Sequence, residues 1–128
     1  AVRGADSPPD PRTGACPVRL LMQQITPAEL ASWLNDPSRE PPVLLDVREA
    51  WEHERVLIDG SLPLPMSQIM ARLGELEPAR DCVTICHHGM RSMQVAMFLE
   101  RSGFPRVFNL QGGIDAWARE VDPSLPRY

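Results

Sequence analysis

Two short apolar runs most constrain the fold: VLL at 43–45, entered through two prolines, and CVTIC at 82–86. A strand with one wet face alternates apolar and polar residues, whereas a near-continuous apolar run suits a strand covered on both faces of a parallel sheet. RVFNL at 106–110 is a third strand of the same kind, and the segments between the runs have helical periodicity. In TPAELASWL, Thr26 is placed to cap a helix, with Pro27 at its first position and Glu29 closing a capping box. Leu30, Trp33 and Leu34 form its apolar stripe. SMQVAMFLERSG turns Val95, Phe98 and Leu99 inward and stops at Gly103, while IDAWARE after Gly112 and Gly113 buries Ile114 and Trp117. Ser67 is read as the cap of a helix running to Leu73, VLIDGSLPLPM as turns around a brief extended piece, and EAWEHE as a short charged segment.

Strands separated by helices, with few residues left for insertions, predict an α/β fold in which an open parallel sheet carries helices on both faces. With 128 residues the chain has room for one domain. The opening stretch 1–20, with four prolines and no apolar period, is expected to be a flexible leader, and 21–128 the folded domain. Because the chain opens on Ala1, a segment upstream is allowed for.

In such sheets ligands bind at the carboxyl ends of the strands. Two strands send polar residues there: Asp46 to Arg48 after the first run, and Cys86 to Arg91 after the second. A strand that ends at Cys86 and a helix that begins near Ser92 leave a tight loop, CHHGMR, whose successive N–H groups converge on one point. Backbone donors gathered beside a helix N-terminus attract anions and stabilise a thiolate. Gly89 lets the backbone curl, and Arg91 adds positive charge at the rim. Cys86 therefore reads as a nucleophile in an anion cradle.

LLDVREAWEHE, CHHGMRS and RVFNLQGGIDAW together resemble the successive signatures of the rhodanese-like family, single-domain sulfurtransferase type, over about residues 22–120. The resemblance implies an open five-stranded parallel sheet with a catalytic cysteine at the first position of a six-residue loop. Here that loop runs Cys86, His87, His88, Gly89, Met90, Arg91. It implies that Cys86 takes the sulfane sulfur of thiosulfate or a similar small anionic donor as a persulfide and passes it to a thiol or cyanide. His87, His88, Gly89, Met90, Arg91 and Ser92 would bind the donor, with Asp46 and Arg48 bracing the loop from the neighbouring strand. The resemblance implies no cofactor. One departure lies in VLIDGSLPLP, where Leu57 and Asp59 stand at positions the family often gives to histidine and proline. That stretch reads as structural.

Other readings meet specific objections. A rhodanese-fold phosphatase or arsenate reductase has one residue more between cysteine and arginine, enough to enlarge the cradle for a tetrahedral oxyanion; this chain has only HHGM. A persulfide carrier or interaction module needs the same loop, and a protein partner in a sulfur relay fits either case. Cys82, Cys86, His87 and His88 are all of ligand type, but adjacent histidines on a tight loop are expected to point apart, so no metal is expected. His53 reads as a solvated helical residue, Trp33, Trp51 and Trp117 as packing residues, Cys82 as core and Cys16 as a bystander in the leader.

A net charge of −4 gives no footprint for nucleic acid. A hydrophobic share of 43% is ordinary for a soluble chain, and no run is long enough to span a membrane. Three cysteines at irregular spacing suit a reducing compartment, so a cytoplasmic location is expected.

Overall fold

The computed structural model describes residues 22–126; the expected leader at 1–20, with Cys16, lies outside the described residues. Five strands form one sheet: β1 (Gln23–Ile25), β2 (Val43–Asp46), β3 (Leu62–Pro63), β4 (Cys82–Ile85) and β5 (Val107–Leu110). Their order is β1-β5-β4-β2-β3 and all pairs are parallel. The three central strands are the three apolar runs.

Helices cover both faces. α1 (Pro27–Leu34) starts with the predicted capping box: Glu29 N–H donates to Thr26 Oγ1 and Thr26 N–H to Glu29 Oε1. α2 (Ala50–Arg55) follows β2, α3 (Ile69–Arg72) follows β3, α4 (Met90–Arg101) follows β4, and α5 (Gly113–Glu120) follows β5. Leu44, Val83, Ile85 and Leu110 pack with Leu30 and Trp33 of α1 and Ile114 and Trp117 of α5. On the opposite face Leu45, Cys82 and Val107 pack with Ile69 of α3 and with Val95, Ala96 and Leu99 of α4. Successive strand residues thus feed opposite cores, which is why the runs are nearly continuously apolar.

Local expectations shift in four places. The charged segment 50–55 is a true helix, capped at Glu49 by a reciprocal pair with Glu52. Ser67 caps nothing: it lies inside a 3₁₀ turn, Met66–Gln68, that precedes the four-residue α3. Phe98 packs against the α4-side core but is only partly buried, whereas Ala96 is fully buried beside it. Trp51 lies outside the core, 59% exposed. Among the described residues no helix is long and apolar enough to cross a membrane.

Candidate active site

β4 ends at Ile85, one residue earlier than the run CVTIC suggests, because the carbonyl of Cys86 leaves the ladder to accept from Ile114 N–H at 2.8 Å. The next carbonyl, His87, accepts from Asp115 N–H at 3.1 Å. These two bonds stitch the loop to the first turn of α5. Glycine is required at 113, where a Cβ would lie 2.4 Å from both carbonyl oxygens.

The loop reverses at Gly89, whose φ of 100° belongs to the left-handed region that glycine enters without strain, and α4 begins at Met90. That reversal turns Gly89 N–H back onto Cys86 Sγ at 3.0 Å. Ser92, on the first turn of α4, places its Oγ 3.3 Å from the same sulfur. The Gly89 N–H, the Ser92 hydroxyl and a helix N-terminus therefore face one sulfur, the arrangement that suits negative charge there. Cys86 is only 1% exposed, more enclosed than a rim position would be, because its side chain belongs to the α4-side core.

Ser92 is itself held. Its hydroxyl lies 2.5 Å from Asn109 Oδ1, while Asn109 Nδ2 donates to Gln24 Oε1 at 3.0 Å and to the Gly89 carbonyl at 3.2 Å. Asn109 was not singled out in the sequence. Its signal was there: an amide in strand β5 at a position whose neighbour two residues back, Val107, is core.

Asp46 and Arg48 form a buried pair through Arg48 Nε and Nη2, at 2.9 and 2.6 Å. Arg48 also donates to the Val56 carbonyl, and His53 Nδ1 sits 2.7 Å from Asp46 Oδ2. Burial acts to raise the Asp46 pKa, but hydrogen bonds from Arg48 and His53, with the Arg48 charge, outweigh it and hold the carboxyl below its usual range. His53 is thus part of a buried knot that ties down both ends of α2, not a solvated side chain. From that helix Glu52 reaches across to Arg91 with bonds of 2.7 and 2.9 Å. Arg91 therefore leans on a buried carboxylate instead of standing as an open rim charge. Asp46 thus touches α2 through His53, Arg48 touches Val56 just beyond it, and Glu52 of the same helix touches Arg91, a chain of contacts the sequence alone did not contain.

The adjacent histidines do not point apart. Their rings stack, centroids 4.0 Å apart with 25° between planes. Burial, then the neighbouring His88, lowers the pKa of His87. His88 is 64% exposed and its Nε2 lies 3.9 Å from Asp115 Oδ2. Met90 is exposed on the outer side. Cys82 is core as expected, and burial pushes its thiol up to about 12. Of the expected donor-binding residues, then, Gly89 and Ser92 touch the sulfur, while His88 and Met90 are exposed and Arg91 pairs with Glu52.

Residues 26–120 match the rhodanese-like domain, and the chain belongs to that family. Among relatives, it is 38% identical over 103 residues to a sulfurtransferase of Allochromatium vinosum, covering 80% of this chain and 94% of that one. It is also 38% identical to the rhodanese-like/PpiC domain-containing protein 12 of Arabidopsis thaliana, but spans only 38% of that protein's length. It spans 26% of the probable adenylyltransferase/sulfurtransferase MoeZ of Mycobacterium tuberculosis, again at 38% identity over 81% of this chain. Among solved structures, the rhodanese-like domain protein of Staphylococcus aureus superposes with a TM-score of 0.71 at 29% identity, over 84% of this chain and 99% of that one.

Proposed function

We propose that the chain is a sulfurtransferase that carries a sulfane sulfur on Cys86 from thiosulfate, or a similar small anionic donor, to a thiophilic acceptor. The observation that carries this reading is the convergence of Gly89 N–H and Ser92 Oγ on Cys86 Sγ, at 3.0 and 3.3 Å. Membership of the rhodanese-like family and the near full-length likeness to a bacterial sulfurtransferase support it.

In the first half-reaction the Cys86 thiolate attacks the outer sulfur of thiosulfate. A new S–S bond forms as the old one breaks, and sulfite leaves with the bonding pair. In the second, an acceptor thiolate or cyanide attacks the outer sulfur of the persulfide and Cys86 departs as thiolate. Neither step needs a general base once the thiol is ionised. The loop donors steady negative charge at each stage, and Glu52 fixes Arg91 at the loop's end. A sulfur this enclosed admits a small donor or a slender extended segment, not a bulky one. MoeZ, named as an adenylyltransferase/sulfurtransferase, is matched over only 26% of its length, and a protein partner in a sulfur relay is part of the same reading. We place it in a reducing compartment, the cytoplasm, on the irregular spacing of its three cysteines.

Intact-mass spectrometry after exposure to thiosulfate tests the proposal. The expected result is a gain of about 32 Da that a reductant removes and that Cys86→Ser lacks. An unmodified wild-type chain, or the same adduct in Cys86→Ser, overturns it.

A further inference from the structure

Beside the Cys86 loop, His87, His88 and Asp115 bring together chemistry-bearing side chains that neither bond-making step of sulfur transfer needs. His87 and His88 stack face to face, with centroids 4.0 Å apart, and Asp115 of α5 approaches them. One ligand atom from each of the three lies within 4.8 Å of the other two.

The main chain fixes this meeting. Asp115 N–H on the His87 carbonyl, at 3.1 Å, and Ile114 N–H on the Cys86 carbonyl, at 2.8 Å, lock the start of α5 to the loop. The side chain at 113 is absent where any Cβ would block the approach. The carboxylate and the two imidazoles are thus set together by backbone bonds that do not depend on their own side-chain contacts.

Two imidazoles and one carboxylate form the donor set of a borderline divalent ion; magnesium and calcium prefer oxygen alone. With metal bonds of roughly 2.0–2.1 Å, tetrahedral ligand atoms stand roughly 3.3 Å apart. The present spread of up to 4.8 Å must therefore close by about 1.5 Å at most. His88 is 64% exposed and supplies that movement by side-chain rotation, while Asp115 exchanges its 3.3 Å contact with Arg119 for the ion.

We propose that His87, His88 and Asp115 bind one zinc-type divalent ion through three protein ligands, leaving a fourth position open to water or a small anion. The site stands whether or not Cys86 transfers sulfur.

Calorimetric titration of the full chain with Zn²⁺, with Co²⁺ as spectroscopic probe, tests it in a Cys16→Ser background so that the leader thiol does not compete. The expected result is one ion per chain, tetrahedral cobalt bands in the visible, and at least about tenfold weaker zinc binding in both His88→Ala and Asp115→Asn. Because His88 is on the surface, His88→Ala reads the site without disturbing the core. Cys86→Ser retains the binding. Absence of saturable one-to-one binding, equal affinity in His88→Ala, or a thiolate-to-cobalt band that disappears in Cys86→Ser overturns the proposal.

Discussion

Arg91 and Glu52, 39 residues apart in the chain, meet through two hydrogen bonds of 2.7 and 2.9 Å, and their exposures are unequal: 34% for the arginine side chain and 4% for the glutamate. The inequality sets the consequence of breaking the pair. Glu52→Ala leaves a guanidinium that water already reaches and removes the acceptor of the Glu49 N–H at the start of α2, so the loss is about 1.5 kcal/mol after allowing for solvent screening. Arg91→Ala strips two charge-assisted bonds from a buried carboxylate that Glu49 N–H still reaches, a loss of about 2.5 kcal/mol. Urea unfolding of the two variants checks this order. Equal losses would mean that the pair is as solvated at one end as at the other.

The parts of the fold that depend on neighbouring residues in sequence were legible. VLL, CVTIC and RVFNL read as buried strands because each feeds both cores, and Thr26 with Glu29 announces α1 because a capping box is local chemistry. β1 left no such mark, since Gln23 and Gln24 are exposed on an edge strand and only Ile25 is buried. β3 is two residues long and likewise gives no period. The Cys86 loop was legible for the same local reason. Its partners were not: Glu52, Asn109 and Asp115 reach the loop only once the parallel connections have folded. The stacking of His87 on His88 reversed a general expectation about adjacent side chains, as the loop curls at Gly89 instead of running extended.

The contact between Gly113 and the loop predicts a contrast between two glycines. Both Gly113 and Gly103 have positive φ, 64° and 100°. A methyl at 103 meets nothing within 4 Å, whereas at 113 it lies 2.4 Å from the carbonyl oxygens of Cys86 and His87. Gly103→Ala should therefore cost only its left-handed strain, about 1 kcal/mol. Gly113→Ala must also push α5 off the loop and should cost at least about 4 kcal/mol. Similar denaturation midpoints for the two would show that α5 moves freely away from Cys86.

Cys82 makes stability sensitive to alkali. Its thiol, ordinarily near 9.0, is pushed up to about 12 by burial. Between those values the unfolded chain releases a proton that the folded chain keeps. Its contribution is therefore complete below about pH 9 and is lost as pH rises toward 12, at about 1.4 kcal/mol per pH unit. All 13 basic residues counted as Lys or Arg are arginine, so no lysine titration obscures this range. Urea midpoints measured from pH 8 upward should fall more steeply for the wild type than for Cys82→Ala. Parallel slopes would place the alkaline loss elsewhere.

Ser92 has one hydroxyl proton and two claimants. Asn109 spends both of its N–H groups on Gln24 and the Gly89 carbonyl, so its Oδ1 faces Ser92 and accepts the proton at 2.5 Å. With Cys86 protonated, the Ser92 oxygen is left to accept from the thiol at 3.3 Å. When the sulfur carries negative charge, the same hydroxyl must turn and donate to it. Ser92→Ala removes that donor while leaving Gly89 N–H in place, and the loss of one hydrogen bond to a charged sulfur is about 1.4 kcal/mol, or about tenfold in rate. Single-turnover uptake of sulfur from thiosulfate, followed by mass, should slow by that factor without loss of the fold. In Asn109→Ala the hydroxyl has no competing acceptor but its anchor is gone, so uptake should also slow, by less than in Ser92→Ala. Uptake in Ser92→Ala at the wild-type rate would show that the main-chain donor of Gly89 suffices alone.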